Sequence, residues 1–148
     1  MSDTHINEFE TKQFIVFSLG EERFGIDSLR IITIDRMKTI TRVPKTPNYI
    51  KGVINLRGDI IPVMDLRAKF NLPIAEETEE TRIIILKLEE VSIGVIVDQV
   101  LQTIQLGNDS IESASSMINS TDNDYIFGIG KVDSEIVTLL NFEKLVKL

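Results

Sequence analysis

The side chains that most often carry covalent or acid–base chemistry are nearly missing from this chain. Among its 148 residues there is no Cys and no Trp, and the single His stands at position 5 in a polar leader, MSDTHINEFETK. Without Cys there is no disulfide scaffold, no thiol nucleophile and no Cys-ligated metal or cluster. Without an imidazole in the body of the chain, Ser and Thr hydroxyls lack their usual activating base. The carboxylates concentrate in expected turns and in the solvated linker Glu76-Glu77-Thr78-Glu79-Glu80. Asp27, Asp65 and Asp98 close strands or open helices, where backbone capping accounts for them. Gly128-Ile129-Gly130 is a fragment of a dinucleotide pattern, without the third Gly or a following helix. The reading is no enzyme, no metal and no cofactor.

What remains is charge and shape. The formal net charge is −7, but it is divided unevenly. Between Arg30 and Arg57 stand seven basic residues (Arg30, Arg36, Lys38, Arg42, Lys45, Lys51, Arg57) and one acid, Asp35, a net of +6; the remainder carries 9 basic and 22 acidic residues, a net of −13. An acidic protein with one basic segment suits a specific acidic partner better than a nucleic acid, whose binders are usually basic overall and rich in stacking aromatics. The leader has no apolar run of signal-peptide type, and no segment is apolar enough to span a bilayer, so the expected compartment is the cytoplasm.

The elements that must position these residues are mostly β. Ile, Val and Thr number 23, 11 and 11 against 3 Ala, and β-branched side chains suit a pleated surface more than a helix. Residues 13–19 and 23–26 read as a hairpin about Gly20-Glu21-Glu22, with a helical turn expected from Asp27 through Ile31. Two prolines make 42–48 a connector. Strands follow on either side of Leu56-Arg57-Gly58-Asp59, then a short helix from Asp65; residues 82–88 and 91–97 form a hairpin at Glu89-Glu90. The polar stretch 107–124 reads as loop, with a short helix near Ile111.

Sliding the chain by 76 residues lays Tyr49-Ile50-Lys51-Gly52-Val53 on Tyr125-Ile126-Phe127-Gly128-Ile129 and continues without a gap to Asp65-Leu66 on Asn141-Phe142. Upstream, Phe14 to Ile26 and Ile83 to Val97 repeat a strand, acidic turn and strand. Two copies of one plan, each with about five short antiparallel strands, predict two small barrels. Either alone is marginal at this size, so a shared Ile/Val layer is expected. The approximate halves are 13–74 and 81–147, with 1–12 as leader. The copies differ at Asn55-Leu56-Arg57-Gly58, which becomes Lys131-Val132-Asp133-Ser134. Gly58 serves the turn; Arg57 has no structural reason to be there.

The stretch YIKGVINLRGDIIPVMDLR, from Tyr49 to Arg67, resembles the signature of the CheW family of chemotaxis coupling proteins, and Phe24-Gly-Ile-Asp27, Gly94-Val-Ile-Val-Asp98 and Tyr125-Ile-Phe-Gly-Ile-Gly130 support it. The resemblance covers roughly residues 13–147 and implies two five-stranded SH3-like barrels about a common hydrophobic core, with a few short helices. It also implies a free-standing adaptor, a monomer when free, that links the regulatory domain of the histidine kinase CheA to the cytoplasmic tip of chemoreceptors seated in the groove between barrels. Nucleic acid and direct membrane insertion have no part in that role. By motif match Gly52, Asn55 and Arg57, with Lys51 beside them, fall around the receptor groove, and Ile31 and Ile32 supply apolar contacts. Where many members carry Glu-Ile, this chain has Thr33-Ile34. Alternatives are a scaffold of another CheA-based pathway, such as surface motility, and an RNA-binding small barrel.

Overall fold

A computed structural model describes residues 11–113 and 125–146. His5 and most of the leader, and residues 114–124 of the polar stretch, lie outside the described residues. The first hairpin is β1 (Thr11–Leu19) and β2 (Glu22–Asp27), followed by a three-residue 3-10 turn, Ser28–Arg30, and β3 (Ile31–Arg36). After the proline connector come β4 (Ile50–Leu56), β5 (Asp59–Asp65) and the one-turn helix α1 (Leu66–Lys69). The second hairpin is β6 (Arg82–Leu88) and β7 (Val91–Val97). It leads into β8 (Gln99–Gly107), a second 3-10 turn, β9 (Ile111–Ser113), β10 (Ile126–Val132), β11 (Glu135–Leu140) and helix α2 (Phe142–Leu145). The short helix expected near Ile111 is the 3-10 turn Asn108–Ser110; Ile111 itself opens β9, its β-branched side chain packed against the buried cluster around Leu106.

The internal repeat is present residue for residue. Gly52 pairs with Val63 and Gly128 with Leu139; Leu56 pairs with Asp59 and Val132 with Glu135; each first strand is bulged at the same place, Ile50/Gly52 and Ile126/Gly128. Asp65 N–H donates to Tyr49 O, and Asn141 N–H to Tyr125 O, both at 2.7 Å. The same two side chains cap α1 and α2, accepting from Arg67 N–H and Lys144 N–H.

The leading hairpins, however, are exchanged between the copies. One sheet has the order β3-β6-β7-β5-β4 and the other β8-β1-β2-β11-β10-β9. Thus β6 and β7 complete the sheet built from β3, β4 and β5, while β1 and β2 complete the sheet of the C-terminal strands. The joins are parallel: Val63 lies opposite Gly94, and Leu139 opposite Gly25. Among the described residues the contacts accordingly divide the chain into interleaved units, 11–17 with 21–29, 101–113 and 125–146, and 18–20 with 30–100, where the sequence repeat suggests consecutive halves 13–74 and 81–147. The mostly β expectation, two small strand-rich subdomains with a few short helices, holds: the sheets have six and five strands, each includes a parallel join, and the strand orders are not strictly closed barrels.

Each unit has its own buried cluster. Phe14, Val16, Ile104, Leu106, Val137 and Leu139 form one, and Ile54, Ile61, Val63, Ile83 and Ile85 the other. Burying a side chain of this size is worth about 1.5–3 kcal/mol, so these clusters are the main stabilising term of each unit. Ile83 through Leu86 are fully buried in succession, so β6 is covered on both faces and shows no polar alternation.

Candidate protein-interaction surface

The β4–β5 hairpin carries four of the six residues singled out in the sequence. At its tip Arg57 and Gly58 both have positive φ, 54° and 89°, the signature of a two-residue type I′ turn. Asn55 Oδ1 accepts from Gly58 N–H at 3.0 Å and ties the turn back to β4. An Arg in this left-handed region costs about 1 kcal/mol relative to Gly or Asn. Its side chain is exposed and has no hydrogen-bond or ion-pair partner among the described residues. The corresponding turn in the other unit uses Asp133 and Ser134, φ 51° and 68°, so an Arg is not what this turn requires.

Gly52 and Asn55 have structural duties of their own. Gly52 has φ 151°, and a Cβ there would stand 2.2 Å from Thr41 O. Its bareness permits the two-way bridge in which Thr41 N–H donates to Val53 O and Val53 N–H to Thr41 O, each at 2.9 Å. Lys51 and Asn55 are exposed on the outward face of β4 with half-buried Val53 between them. Across the ladder, Asn55 faces Ile60 and Val53 faces Pro62. Ile60 is 65% exposed, which places an uncovered aliphatic side chain beside the turn that presents Arg57.

Ile31 and Ile32 lie elsewhere in the same unit. The helical turn expected to reach Ile31 ends at Arg30, after Leu29 N–H donates to Asp27 Oδ1 at 3.0 Å; from Ile31 the β-branched run pairs with β6 as an edge strand. Ile31 is half-buried and Ile32 half-exposed, with Ile34 on the same outward face. In strand order β3 and β4 are opposite ends of the sheet, so these isoleucines and Arg57 share no strand pair. Thr33 Oγ1 donates to Asp35 Oδ1 at 3.0 Å, so an acid stands on this side of β3, two residues after Thr33.

Sequence reading missed two features. Ile60 lay inside an apolar strand pattern, and only the register shows which face it occupies. Asp98, expected to cap, instead receives Arg67 in a bidentate pair, Nε to Oδ1 at 2.9 Å and Nη2 to Oδ2 at 2.5 Å. Gly20 N–H also donates to Asp98 Oδ2, at 2.7 Å, and Arg67 Nη1 donates to Pro73 O, at 2.8 Å. The hydrogen bond from Arg67 holds the Asp98 carboxyl below its usual range against the cost of partial burial, and the bond to Asp98 raises the Arg67 guanidinium. The parallel β5–β7 register, Asp65 opposite Ile96, brings these partners together, and no local sequence signal reports it. Asp27 and Asp65 do cap, as expected.

The arrangement offers a projecting cation, an exposed aliphatic strip and an edge strand, the elements of a surface for a protein partner. Residues 13–148 match the CheW-like domain family. The chain is 35% identical to the chemotaxis protein CheW of Helicobacter pylori, over 93% of this chain and 83% of that protein, and 35% identical to CheW of Klebsiella aerogenes, over 90% and 81%. Its fold superposes on the scaffolding protein TtCheW of Thermoanaerobacter tengcongensis with a TM-score of 0.86 at 34% identity, covering 94% of each chain. With its signature hairpin, its two-copy plan and this match over nearly its whole length, the chain belongs to the CheW-like family.

Proposed function

We propose that this chain is a non-catalytic cytoplasmic adaptor of bacterial chemotaxis that couples the cytoplasmic tip of chemoreceptors to the regulatory domain of the histidine kinase CheA. The observation that carries the receptor side is Arg57, a solvent-facing, unpartnered cation that occupies a strained turn position which Asn55 holds in place. A charge-assisted contact from its planar guanidinium to an acid on a receptor helix, with Ile60 beside it and Ile31 and Ile32 as a separate apolar contact on β3, is chemistry that needs no active site. Lys51 adds a second cation on the same hairpin, while Gly52 and Asn55 act by shaping it. The carboxylates that draw attention in the sequence are occupied as caps or in the Arg67 pair, which supports a binding role over catalysis.

An adaptor transmits a signal only by binding the conformational states of its partner unequally. A working dissociation constant near ~1 μM corresponds to about −8 kcal/mol, and loss of an anchor worth ~2 kcal/mol weakens it roughly thirtyfold. Titration of a receptor cytoplasmic fragment and of the CheA regulatory domain against the chain, with and without Arg57→Glu, tests the reading. The substitution is expected to weaken receptor binding by at least tenfold and leave kinase binding unchanged. Binding of neither partner at low salt would refute it.

A further inference from the structure

The connector between β3 and β4, together with the end of β3 and the β4–β5 hairpin, displays cations for which the fold has no use. Arg36, Lys38, Arg42, Lys45, Lys51 and Arg57 are all exposed, and none has an ion-pair partner among the described residues. Elsewhere Arg23 pairs with Glu135, Arg67 with Asp98, and Arg82 donates to backbone carbonyls, so intramolecular acceptors are used where they serve. The segment is also held in place. Met37 and Ile40 pack against the buried cluster of Ile54, Ile61 and Val63; Thr41 is bridged to Val53; Thr46 Oγ1 donates to Val43 O at 3.1 Å, and Ile50 N–H to Pro47 O at 3.0 Å. Lys45, like Arg57, is a cation at left-handed φ, 65°. Arg36 and Lys51 line cavities shared with Glu76, Glu77, Glu79 and Glu80, whereas Lys38, Arg42 and Lys45 line neither, so the connector's own cations are the ones whose like charges have a local positive field as their physical consequence.

From this placement we infer that the connector, through Lys38, Arg42 and Lys45, is a preorganised docking strip for an acidic, extended segment of a partner protein, continuous with Lys51 and Arg57. It rests on the coupling reading only in taking that partner from the signalling complex. Nucleic acid is disfavoured because the one aromatic ring of the segment, Tyr49, is covered by Lys69 Nζ at 4.1 Å, and the net of −13 on the rest of the chain repels a long polyanion. A membrane surface is disfavoured because the only large aliphatic side chain exposed between Met37 and Tyr49 is Val43, at 38%, and no amphipathic helix is present there.

The test is amide NMR titration of the full chain with a synthetic twelve-residue Glu/Asp-rich peptide at low salt. Expected are shift changes confined to residues 36–57, weakened at least fivefold between 50 and 300 mM salt. They should be reduced at least tenfold in affinity by Lys38→Gln/Arg42→Gln/Lys45→Gln, with an unchanged melting temperature. Shifts spread over all exposed lysines, or unchanged by the triple substitution, would overturn the inference. So would tighter binding, at the same salt, of a twelve-base-pair DNA duplex or of phosphatidylglycerol vesicles. The coupling reading is judged separately: a receptor fragment bound normally by the triple variant but poorly by Arg57→Glu removes the strip and leaves the adaptor role standing.

Discussion

Arg57 exchanges stability for reach. Replacing it with Asn restores the residue pair most favoured in a type I′ turn and is expected to raise the unfolding free energy by about 0.5–1 kcal/mol, read from urea melts, while receptor binding falls. A large loss of stability instead would make Arg57 a structural residue. Asn55 behaves oppositely, since its side chain secures Gly58 N–H. Asn55→Ala should cost about 1 kcal/mol, and binding should decline only as the turn loosens. Gly52→Ala is the severe change at this scale. A methyl 2.2 Å from Thr41 O cannot be accommodated without breaking the bridge, and a loss of about 3 kcal/mol is expected in the same melts.

At the scale of elements, the Arg67–Asp98 pair joins the first turn of α1 to the β7–β8 junction, and through Gly20 N–H and Pro73 O it reaches the β1–β2 turn and the linker. The side chains are 17% and 30% exposed, sheltered enough for a charge-assisted bidentate contact worth about 2 kcal/mol. Because the Asp98 carboxyl is held below its unfolded value of roughly 4, its contribution is present above that pH and is lost as pH falls through the lower, folded value. Arg67 is shifted upward by the same bond, so its own protonation limits the pair only at the alkaline end. The stability gap between the native chain and Asp98→Asn should therefore be about 2 kcal/mol at neutral pH and close in strong acid. Denaturant melts at pH 7 and below pH 3 measure it, and a gap that persists in acid would assign the effect to packing instead of charge.

For the whole molecule, the exchanged hairpins set what can fold alone. A fragment of residues 1–77 contains β1 and β2 but not β8 or β11, and β3 to β5 but not β6 or β7, so each sheet would lack strands it pairs with. Expressed separately, that fragment and its complement, 78–148, should show little β circular dichroism, and mixing them should restore it. An independently folded N-terminal fragment would contradict the topology.

Much of this was legible beforehand because it is local. The composition of β-branched residues, the bulged hairpin repeated at a spacing of 76, the capping Asp65 and the turn at Arg57-Gly58 all depend on neighbours within a few positions, where side-chain sterics and hydrogen bonds act directly. The same locality explains why the helical turn after Asp27 was readable to within a residue: the cap sets Ser28–Arg30, while β6, fifty residues away, claims Ile31 for an edge strand. Which face Ile60 occupies, that Asp98 meets Arg67, and that β1 and β2 complete the C-terminal sheet depend on pairings among distant strands. Two hairpins of one plan, strand, acidic turn and strand, offer two alternative partners, and the sequence pattern of either hairpin is satisfied by both. By itself the sequence determined the repeated unit and the residues it exposes at its tips. Only the tertiary structure decided which copy of the hairpin joins which sheet, because that choice rests on burial summed over whole strands and not on any local preference.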